Sequence, residues 1–292
     1  MIFLLSVKNL SRFLTTQIRI GNHLRIDVAL VELGLARSRN HASTLIDADR
    51  VLINGRAARK ASQPVVDGAE IVVLEAVDYV SRAGHKLAKA LDVFSEIDAV
   101  NKTALDVGAS TGGFTDVLLR RGIGRVFAID VGHDQMALEL LDNPKVISME
   151  GFNARDLSLE TLANASGVSS DKIDIDLVVG DLSFISLTLV LEQILSVAPK
   201  AEYVLLIKPQ FEVGKQSLHA SGIVTDHRLR AGAIKQVIDC AHDLGIGVRG
   251  LTRSELPGTH GNIEYVVWIS PLEPVNRSKW TDRIEALAKE GK

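Results

Sequence analysis

A glycine-rich turn at residues 108–113 follows an apolar run and would let a cofactor approach the backbone closely. Further along the chain, Asp130, Asp181 and Lys208 each end another apolar run. Open α/β sheets bind ligands beyond the carboxyl ends of their strands, so we expect these three side chains to line one crevice. Lys86 lies upstream of the glycine turn. Together these residues predict an enzyme that uses a nucleoside cofactor and has a lysine just before its cofactor domain.

The glycine turn by itself does not specify the cofactor. Gly108, Gly112 and Gly113 would serve a dinucleotide equally well, because many doubly wound sheets open with such a turn. The eight histidines are scattered, and no Cys/His spacing matches a zinc site, so we expect no metal. Cys240, the single cysteine, falls in a helical apolar pattern and is interpreted as a core residue rather than a nucleophile.

From residue 103 onward, apolar runs alternate with amphipathic stretches. Strands are predicted near 103–107, 126–130, 145–149, 175–181 and 203–208, and helices at 113–121, 133–142, 158–165, 187–197 and 228–244. This order predicts a mainly parallel sheet covered on both faces, which is a doubly wound, Rossmann-like α/β domain. The apolar run 266–269 is expected at or near the sheet edge. Residues 273–292 are predicted to be a polar tail with one possible helix at 280–289.

The composition is that of a globular chain with a sizeable core. The chain has 292 residues, which suggests about two domains, and 46% of them are hydrophobic and 24% charged. Apolar runs are far shorter than the ~20 residues of a membrane-spanning helix, so no membrane insertion is expected. One cysteine excludes an internal disulfide and favours a cytoplasmic location. The net charge of −3 means that any nucleic-acid-binding surface must be local.

Residues 1–23 contain three basic residues and no acidic residue. Their apolar run at 2–7 has no basic stretch before it and no small-residue cleavage site after it, which argues against a secretory signal. An organellar presequence remains an alternative, because the segment is poor in acids and contains Ser and Thr. We expect a disordered extension or a start codon assigned too far upstream.

Residues 24–76 have the pattern of a small α+β module. Two amphipathic helical stretches are followed by short strands at 51–53 and 70–74. Between residues 37 and 60, six basic residues face two acidic ones. On charge alone, this cluster is equally well explained as a solvated surface.

The order of elements resembles the RNA-binding module shared by a small-subunit ribosomal protein, pseudouridine synthases and tyrosyl-tRNA synthetases. The resemblance is carried by Arg25-Ile-Asp-Val-Ala-Leu30, Gly34-Leu-Ala-Arg-Ser-Arg39, the stretch 42–46 and Arg50-Val-Leu-Ile-Asn-Gly55. It implies that basic side chains grip RNA phosphates. The implied RNA-binding residues are Arg25, Arg37, Arg39, Arg50, Arg56, Arg59 and Lys60. Asp49 departs from the family, which usually has glycine there, and would weaken phosphate contact locally.

The order of four further residues resembles the Lys-Asp-Lys-Glu catalytic tetrad of FtsJ-type RNA ribose 2'-O-methyltransferases. They are Lys86, which ends Ser81-Arg-Ala-Gly-His-Lys86, and Asp181, Lys208 and Glu264. With the RNA-binding module in front, residues 24–272 resemble the haemolysin-A type (TlyA) family, with a methyltransferase domain at 77–272. Three stretches are near-continuous matches to that family, namely Asp181-Leu-Ser-Phe-Ile-Ser-Leu187, Lys208-Pro-Gln-Phe-Glu-Val-Gly-Lys215 and Leu256-Pro-Gly-Thr-His-Gly-Asn-Ile-Glu-Tyr265.

This resemblance implies an enzyme that uses S-adenosylmethionine to methylate ribose 2'-hydroxyls in ribosomal RNA, at cytidine of the small or large subunit. Lys208 would be the base, because a nearby cation and partial burial help a lysine to accept a proton. Lys86 would be that cation and hold the 2'-oxygen, Asp181 would orient both lysines, and Glu264 would support them. The partner would be ribosomal RNA or ribosomal subunits, and the sequence indicates no oligomeric state.

The implied cofactor residues lie mainly at strand ends. The turn would approach the methionine portion of the ligand, Asp106 would help to hold its amino-acid end, and Asp130 would accept hydrogen bonds from the ribose hydroxyls. Asn153 and Asp156 would lie near the adenine, and His133 would be a cofactor-edge or surface residue. The full predicted set is Asp106, Gly108, Ala109, Ser110, Gly112, Gly113, Asp130, Asn153 and Asp156.

Two other functions compete with methyl transfer. The family name implies a haemolysin, but a pore-former needs a membrane-spanning element or a large amphipathic surface, and the sequence shows neither. A non-catalytic RNA-binding assembly factor would be indicated by a broken tetrad, and all four positions are intact.

Overall fold

The structure is a computed structural model that describes residues 3–10, 13–19, 24–36, 38–47, 50–66, 68–74, 79–214, 222–258 and 261–290. Internal contacts divide the chain into two units, residues 1–77 and residues 78–292. Within the ranges just given, no helix is both long enough and apolar enough to cross a membrane.

The first unit combines small antiparallel sheets with a pair of helices. Its described elements are β1 (Phe3–Leu10), β2 (Phe13–Arg19), β3 (Leu24–Arg25), α1 (Ile26–Glu32), α2 (Arg39–Asp47), β4 (Val51–Ile53), β5 (Arg56–Ala57), β6 (Pro64–Val65) and β7 (Glu70–Leu74). The strands form one sheet in the order β1-β2-β7-β4-β5 and a two-stranded sheet of β3 and β6. Ile26 and Leu30 of α1 are buried in one core with Ile46 of α2 and with Val51 and Ile71 of the larger sheet. The helical and strand patterns predicted for this module are therefore present.

Within the segment that we expected to be a disordered extension, the structure describes two strands, β1 and β2. β1 pairs with β2, and β2 pairs with β7, both antiparallel. The register of the second pair runs from Phe13 opposite Leu74 to Gln17 opposite Glu70. An unpaired edge of β7 would leave a row of backbone donors and acceptors open, and pairing with β2 satisfies them.

The second unit is built on a seven-stranded sheet. Its described elements are α3 (Ala83–Val93), β8 (Thr103–Val107), α4 (Gly113–Arg120), β9 (Arg125–Asp130), α5 (Leu138–Leu141), β10 (Val146–Glu150), α6 (Leu159–Ser166), β11 (Leu177–Gly180), α7 (Leu191–Val197), β12 (Glu202–Ile207), α8 (Pro209–Glu212), α9 (His227–Asp243), β13 (Gly247–Arg253), β14 (Tyr265–Ser270) and α10 (Thr281–Lys289). The strand order is β10-β9-β8-β11-β12-β14-β13. The first five strands are parallel, and β14 runs antiparallel to both of its neighbours.

Helices cover both faces of this sheet. Along β8, Leu105 and Val107 pack into one buried cluster, whereas Ala104 packs into the other. Near-continuous apolar runs are typical of parallel strands that are buried on both faces. The predicted Rossmann-like fold class is confirmed.

Three elements depart from the sequence predictions. Of the helix predicted at 133–142, only Leu138–Leu141 is α-helical, as α5. The edge strand β13 was not predicted, because its Gly-Val-Arg-Gly-Leu-Thr-Arg sequence lacks a regular alternation and its pairing with β14 contains an irregularity between Val248 and Gly250. The C-terminal segment contains the helix expected at 280–289, as α10, but it is not only polar, since Trp280, Ile284 and Leu287 are buried in the main core and α10 packs on α9.

Candidate active site

Lys208 and Asp181 meet at the carboxyl ends of two neighbouring strands. Asp181 directly follows β11 and Lys208 directly follows β12, and the two strands are parallel. The lysine Nζ lies 2.7 Å from Oδ1 of Asp181. Both side chains are largely buried. The sheet topology therefore creates this ion pair from residues that are far apart in the sequence.

A second ion pair joins Lys86 to Glu264. Lys86 lies on α3, and Glu264 immediately precedes β14. Because β14 is antiparallel to β12, its first residues lie beside the last residues of β12, with Tyr265 opposite Ile207. The Nζ atom of Lys86 is 2.5 Å from Oε2 of Glu264, and the two side chains are only 6% and 2% exposed.

Neighbouring residues hold Glu264 in place. Gln210 on α8 donates a hydrogen bond from Nε2 to Oε1 of Glu264 at 3.4 Å. A Cβ atom at Gly258 would lie 1.9 Å from the same Oε1. Only glycine therefore fits at position 258 without moving the carboxylate.

All four predicted catalytic residues line one cavity of about 910 Å³. The glycine turn forms another part of its wall, through Gly108, Ala109, Ser110 and Gly113. The start of α3 and the turn pack very closely, because a Cβ atom at Gly113 would lie 2.9 Å from the backbone nitrogen of Gly84. This contact sets the start of α3, and hence Lys86, directly beside the predicted cofactor turn.

Comparison with known proteins agrees with this arrangement. The family model described as "FtsJ-like methyltransferase" matches residues 79–270, and the model described as "S4 domain" matches residues 24–71. The chain is 44% identical over 248 residues to the 16S/23S rRNA (cytidine-2'-O)-methyltransferase TlyA of Mycobacterium tuberculosis, covering 84% of this chain and 89% of the relative. It is 39% identical over 248 residues to Hemolysin A of Brachyspira hyodysenteriae, covering 83% and 98%.

A solved structure supports the same relationship. A protein from Streptococcus thermophilus that is named as a hemolysin superimposes with a TM-score of 0.66 at 33% identity, covering 91% of this chain and 94% of that one. The chain belongs to the TlyA family. The predicted family, with its FtsJ-like methyltransferase domain and its N-terminal S4 RNA-binding domain, is confirmed.

In this TlyA-family chain, the other predicted cofactor residues lie outside the lining of the cavity. Asp130 accepts hydrogen bonds from the backbone N–H of Ser110 at 2.8 Å and of Gly132 at 2.7 Å. It therefore fixes the glycine turn while each of its oxygens retains a lone pair for a ligand. Asn153 caps a short 3₁₀ helix by accepting from the Arg155 N–H, and Asp156 is exposed. The roles of these residues stay predictions.

Asp106 is fully buried at the end of β8. Its Oδ2 accepts a hydrogen bond from Oγ1 of Thr115 at 2.7 Å, whereas its Oδ1 has no partner. Burial raises the pKa of this carboxyl to about 7, and the nearby Asp181 charge acts in the same direction. The hydrogen bond from Thr115 opposes the shift.

Several residues of the cavity wall were missed by the sequence analysis. Ser183 accepts a hydrogen bond from Nζ of Lys208 at 2.7 Å. Phe184 stands at the wall with 92% of its surface exposed, and its ring centroid is 5.2 Å from that of Phe211. All three residues fall inside the motifs that begin at Asp181 and Lys208. The aromatic residues inside these polar motifs were the available signal.

Two arginines also line the cavity, namely Arg82 and Arg155. Neither guanidinium makes an ion pair or hydrogen bond with another described residue, whereas the cavity lysines 86 and 208 are both paired. These arginines are thus cations available to an anionic ligand. Their exposure could not be read from the sequence.

The predicted RNA-binding residues of the first unit fall into two groups. Arg56, Arg59 and Lys60 are exposed, and Arg50 is half-buried. Arg37 lies outside the described residues, as does Asp49. Arg25 and Arg39 both bind the buried carboxylate of Asp27, with shortest nitrogen–oxygen distances of 3.0 and 2.8 Å.

Asp27 was not predicted as part of this surface. The hydrogen bonds from Arg25 in particular, and from Arg39, lower the pKa of its carboxyl. Each of the two guanidinium groups therefore already binds a carboxylate of the protein, although about half of each arginine side chain remains exposed. The Arg-Ile-Asp spacing at residues 25–27 was the signal for this ion pair.

Proposed function

We propose that this chain transfers a methyl group from S-adenosylmethionine to ribose 2'-hydroxyls of ribosomal RNA, at cytidine. The observation that carries the proposal is the pair of lysine–carboxylate contacts, Lys86–Glu264 and Lys208–Asp181, on one cavity beside the glycine turn. The name of the Mycobacterium tuberculosis relative supports the choice of RNA and nucleotide. Such a substrate would place the protein in the cytoplasm.

The cavity fits a nucleoside cofactor. Its volume of about 910 Å³ lies within the range of small-molecule sites. The turn at residues 108–113 would hold the methionine portion, and Asp130 would accept from the ribose hydroxyls. Asp106 would act from beneath the turn through its unpartnered Oδ1. When bound, S-adenosylmethionine supplies an electrophilic methyl group on a sulfonium.

Lys208 is proposed as the base. Its Nζ, an ammonium in the ion pair with Asp181, would first release a proton to solvent and then take the proton of the 2'-hydroxyl. The ribose oxygen would then be ready to accept the methyl group that bound S-adenosylmethionine supplies, with the thioether as leaving group. Asp181 and Ser183 hold the amine in place, since both lie 2.7 Å from Nζ. Lys86, fixed by Glu264, would hold the 2'-oxygen. Proton transfer of this kind contributes ~10²–10⁴-fold, whereas alignment of hydroxyl and methyl can contribute more.

The basic residues would supply positioning of the RNA. Arg56, Arg59 and Lys60 are proposed to contact RNA phosphates in the S4 unit. Arg82 and Arg155 are proposed to contact the phosphates or the cofactor carboxylate at the cavity. Such contacts fix the register of the RNA without reading its sequence.

The direct test is methyl transfer by the purified protein. Ribosomal subunits and naked ribosomal RNA would be incubated with methyl-labelled S-adenosylmethionine, digested to nucleosides and separated by mass. The expected product is 2'-O-methylcytidine at a discrete site. Label on a base instead of a ribose would overturn the proposal. RNA binding without any transfer would support the assembly-factor alternative.

A further inference from the structure

A loop at residues 181–187 is joined to the segment 208–212 along its whole length. At the start of the loop, Lys208 contacts Asp181 and Ser183. In the middle, the ring of Phe184 packs against that of Phe211. The end of the loop needs a separate attachment, because Lys208 and Phe211 reach only its first half.

Glu212 provides that attachment. It is the last residue of α8, and only 6% of it is exposed. One carboxylate oxygen accepts the hydroxyl hydrogen of Ser186, and the other accepts the backbone N–H of Leu187 at 3.0 Å. Burial raises the pKa of the Glu212 carboxyl, and these two donors oppose the shift. The carboxylate has no place in the proton transfer proposed above.

The loop has a conformation that requires such support. Phe184 has a φ angle of +65°, in the left-handed region that side chains other than glycine rarely adopt. Its ring is almost fully exposed at the cavity, so burial does not hold it there. Strained backbone of this kind persists only where the surrounding structure fixes it. The contacts at both ends of the loop are the structure that does so.

We propose that Glu212 is a positioning residue, whose carboxylate fixes the 181–187 loop so that Ser183 holds Lys208 and Phe184 faces the entering nucleotide. The inference rests on the proposed ribose methyl transfer. Glu212 acts through the loop and touches neither RNA nor cofactor. It should therefore govern the alignment of the reacting groups, while most of the RNA affinity comes from phosphate contacts elsewhere.

The test compares Glu212→Ala with Glu202→Ala. Glu202 also accepts two hydrogen bonds, from Nε1 of Trp268 and from Oγ of Ser270, but lies at the opposite end of β12 from the cavity. It is thus a matched control for the loss of a glutamate that accepts two hydrogen bonds. For both variants, kcat, the KM for RNA, the Kd for S-adenosylmethionine and the thermal midpoint would be measured.

We expect Glu212→Ala to lower kcat roughly 10–100-fold, with the RNA KM and cofactor Kd changed less than about threefold. Glu202→Ala should lower the thermal midpoint but keep kcat. Glu212→Gln should recover most of the turnover, because its amide oxygen can accept from Leu187 while its NH₂ donates to Ser186. Retained kcat in Glu212→Ala, or an equal loss in Glu202→Ala, would overturn the proposal.

Hydrogen exchange of residues 181–190 gives a readout that does not depend on the methyl acceptor. The Leu187 amide should exchange faster in Glu212→Ala than in the wild-type chain, and should be unchanged in Glu202→Ala. Faster exchange in a chain that transfers no methyl group to ribose would refute the proposed function, but it would still show that Glu212 fixes the 181–187 loop. Unchanged exchange would show that Glu212 does not fix the loop.

Discussion

Lys86 and Glu264, which lie 178 positions apart in the sequence, form a buried ion pair with 2.5 Å between Nζ and Oε2. The pair ties α3, which packs beside the glycine turn, to the residue that immediately precedes β14 in the antiparallel part of the sheet. Removal of one partner would leave the other charge buried and unpaired, which costs much more than the pair itself contributes.

Glu264→Ala should therefore destabilise the protein by about 3–5 kcal/mol, because Lys86 would lose its only carboxylate within the described residues. Lys86→Met in the same chain should restore part of that loss, since it removes the unpaired charge. Urea denaturation would measure both effects. Glu255→Ala is the matched control: its pair with Lys89 is exposed on both sides, and its loss should cost less than about 1 kcal/mol.

Lys208→Ala should abolish 2'-O-methyl transfer while RNA and S-adenosylmethionine still bind, because the residue is proposed to act on a proton. Lys208→Arg should fail as well, since a guanidinium keeps its charge at any accessible pH. Single-turnover assays with separate binding measurements would check both variants. Near-normal turnover of the arginine variant would make Lys208 an electrostatic clamp, and loss of cofactor binding in Lys208→Ala would place it in the cofactor pocket.

The stability of the protein should fall as pH rises through the titration of Asp106. Its pKa is about 7 in the folded chain, against an ordinary value of 3.8. Between these values the unfolded chain has released the proton that the folded chain still holds, so raising the pH favours unfolding. At one pKa unit per 1.36 kcal/mol, the contribution is on the order of a few kcal/mol.

Asp106→Asn should remove this part of the pH dependence, because asparagine stays neutral while its oxygen can still accept from Thr115. Urea unfolding of both proteins at several values between pH 4 and pH 8 gives the comparison. Parallel curves for the two proteins would show that Asp106 is already ionised in the folded chain.

The sequence predicted the positions of Asp181 and Lys208 because each ends a strand, and strand ends follow from apolar periodicity alone. The position of Glu264 beside the other site residues depends on the antiparallel placement of β14, which no local sequence pattern encodes. Ser183 and Glu212 were missed for the same reason: their partners lie 25 or more positions away, and only the packed loop brings them together. The Rossmann-like order was predictable, whereas β13, with glycine and arginine in place of regular alternation, was not.

Asp130→Ala should weaken S-adenosylmethionine binding by ~1.5–3 kcal/mol if a charged acceptor to the ribose is removed, which is roughly a 10–150-fold rise in Kd. The same carboxylate accepts from the Ser110 N–H, so the variant also loosens the glycine turn. Calorimetry with S-adenosylmethionine measures the change. An unchanged Kd would remove Asp130 from the cofactor site.

In the S4 unit, replacing Arg56, Arg59 and Lys60 together with alanine should weaken RNA binding without changing cofactor affinity. If each side chain neutralises one phosphate, the slope of log K against log salt should flatten by ~0.7–0.9 per substitution, because fewer counterions are released.

Lys172 and Lys200 provide a matched control. Both are exposed and precede β11 and β12, at the sheet end away from the cavity. Their double alanine variant should keep the wild-type slope. A wild-type slope in the triple variant would mean that these side chains are solvated and contact no phosphate, which is the alternative explanation of the basic cluster.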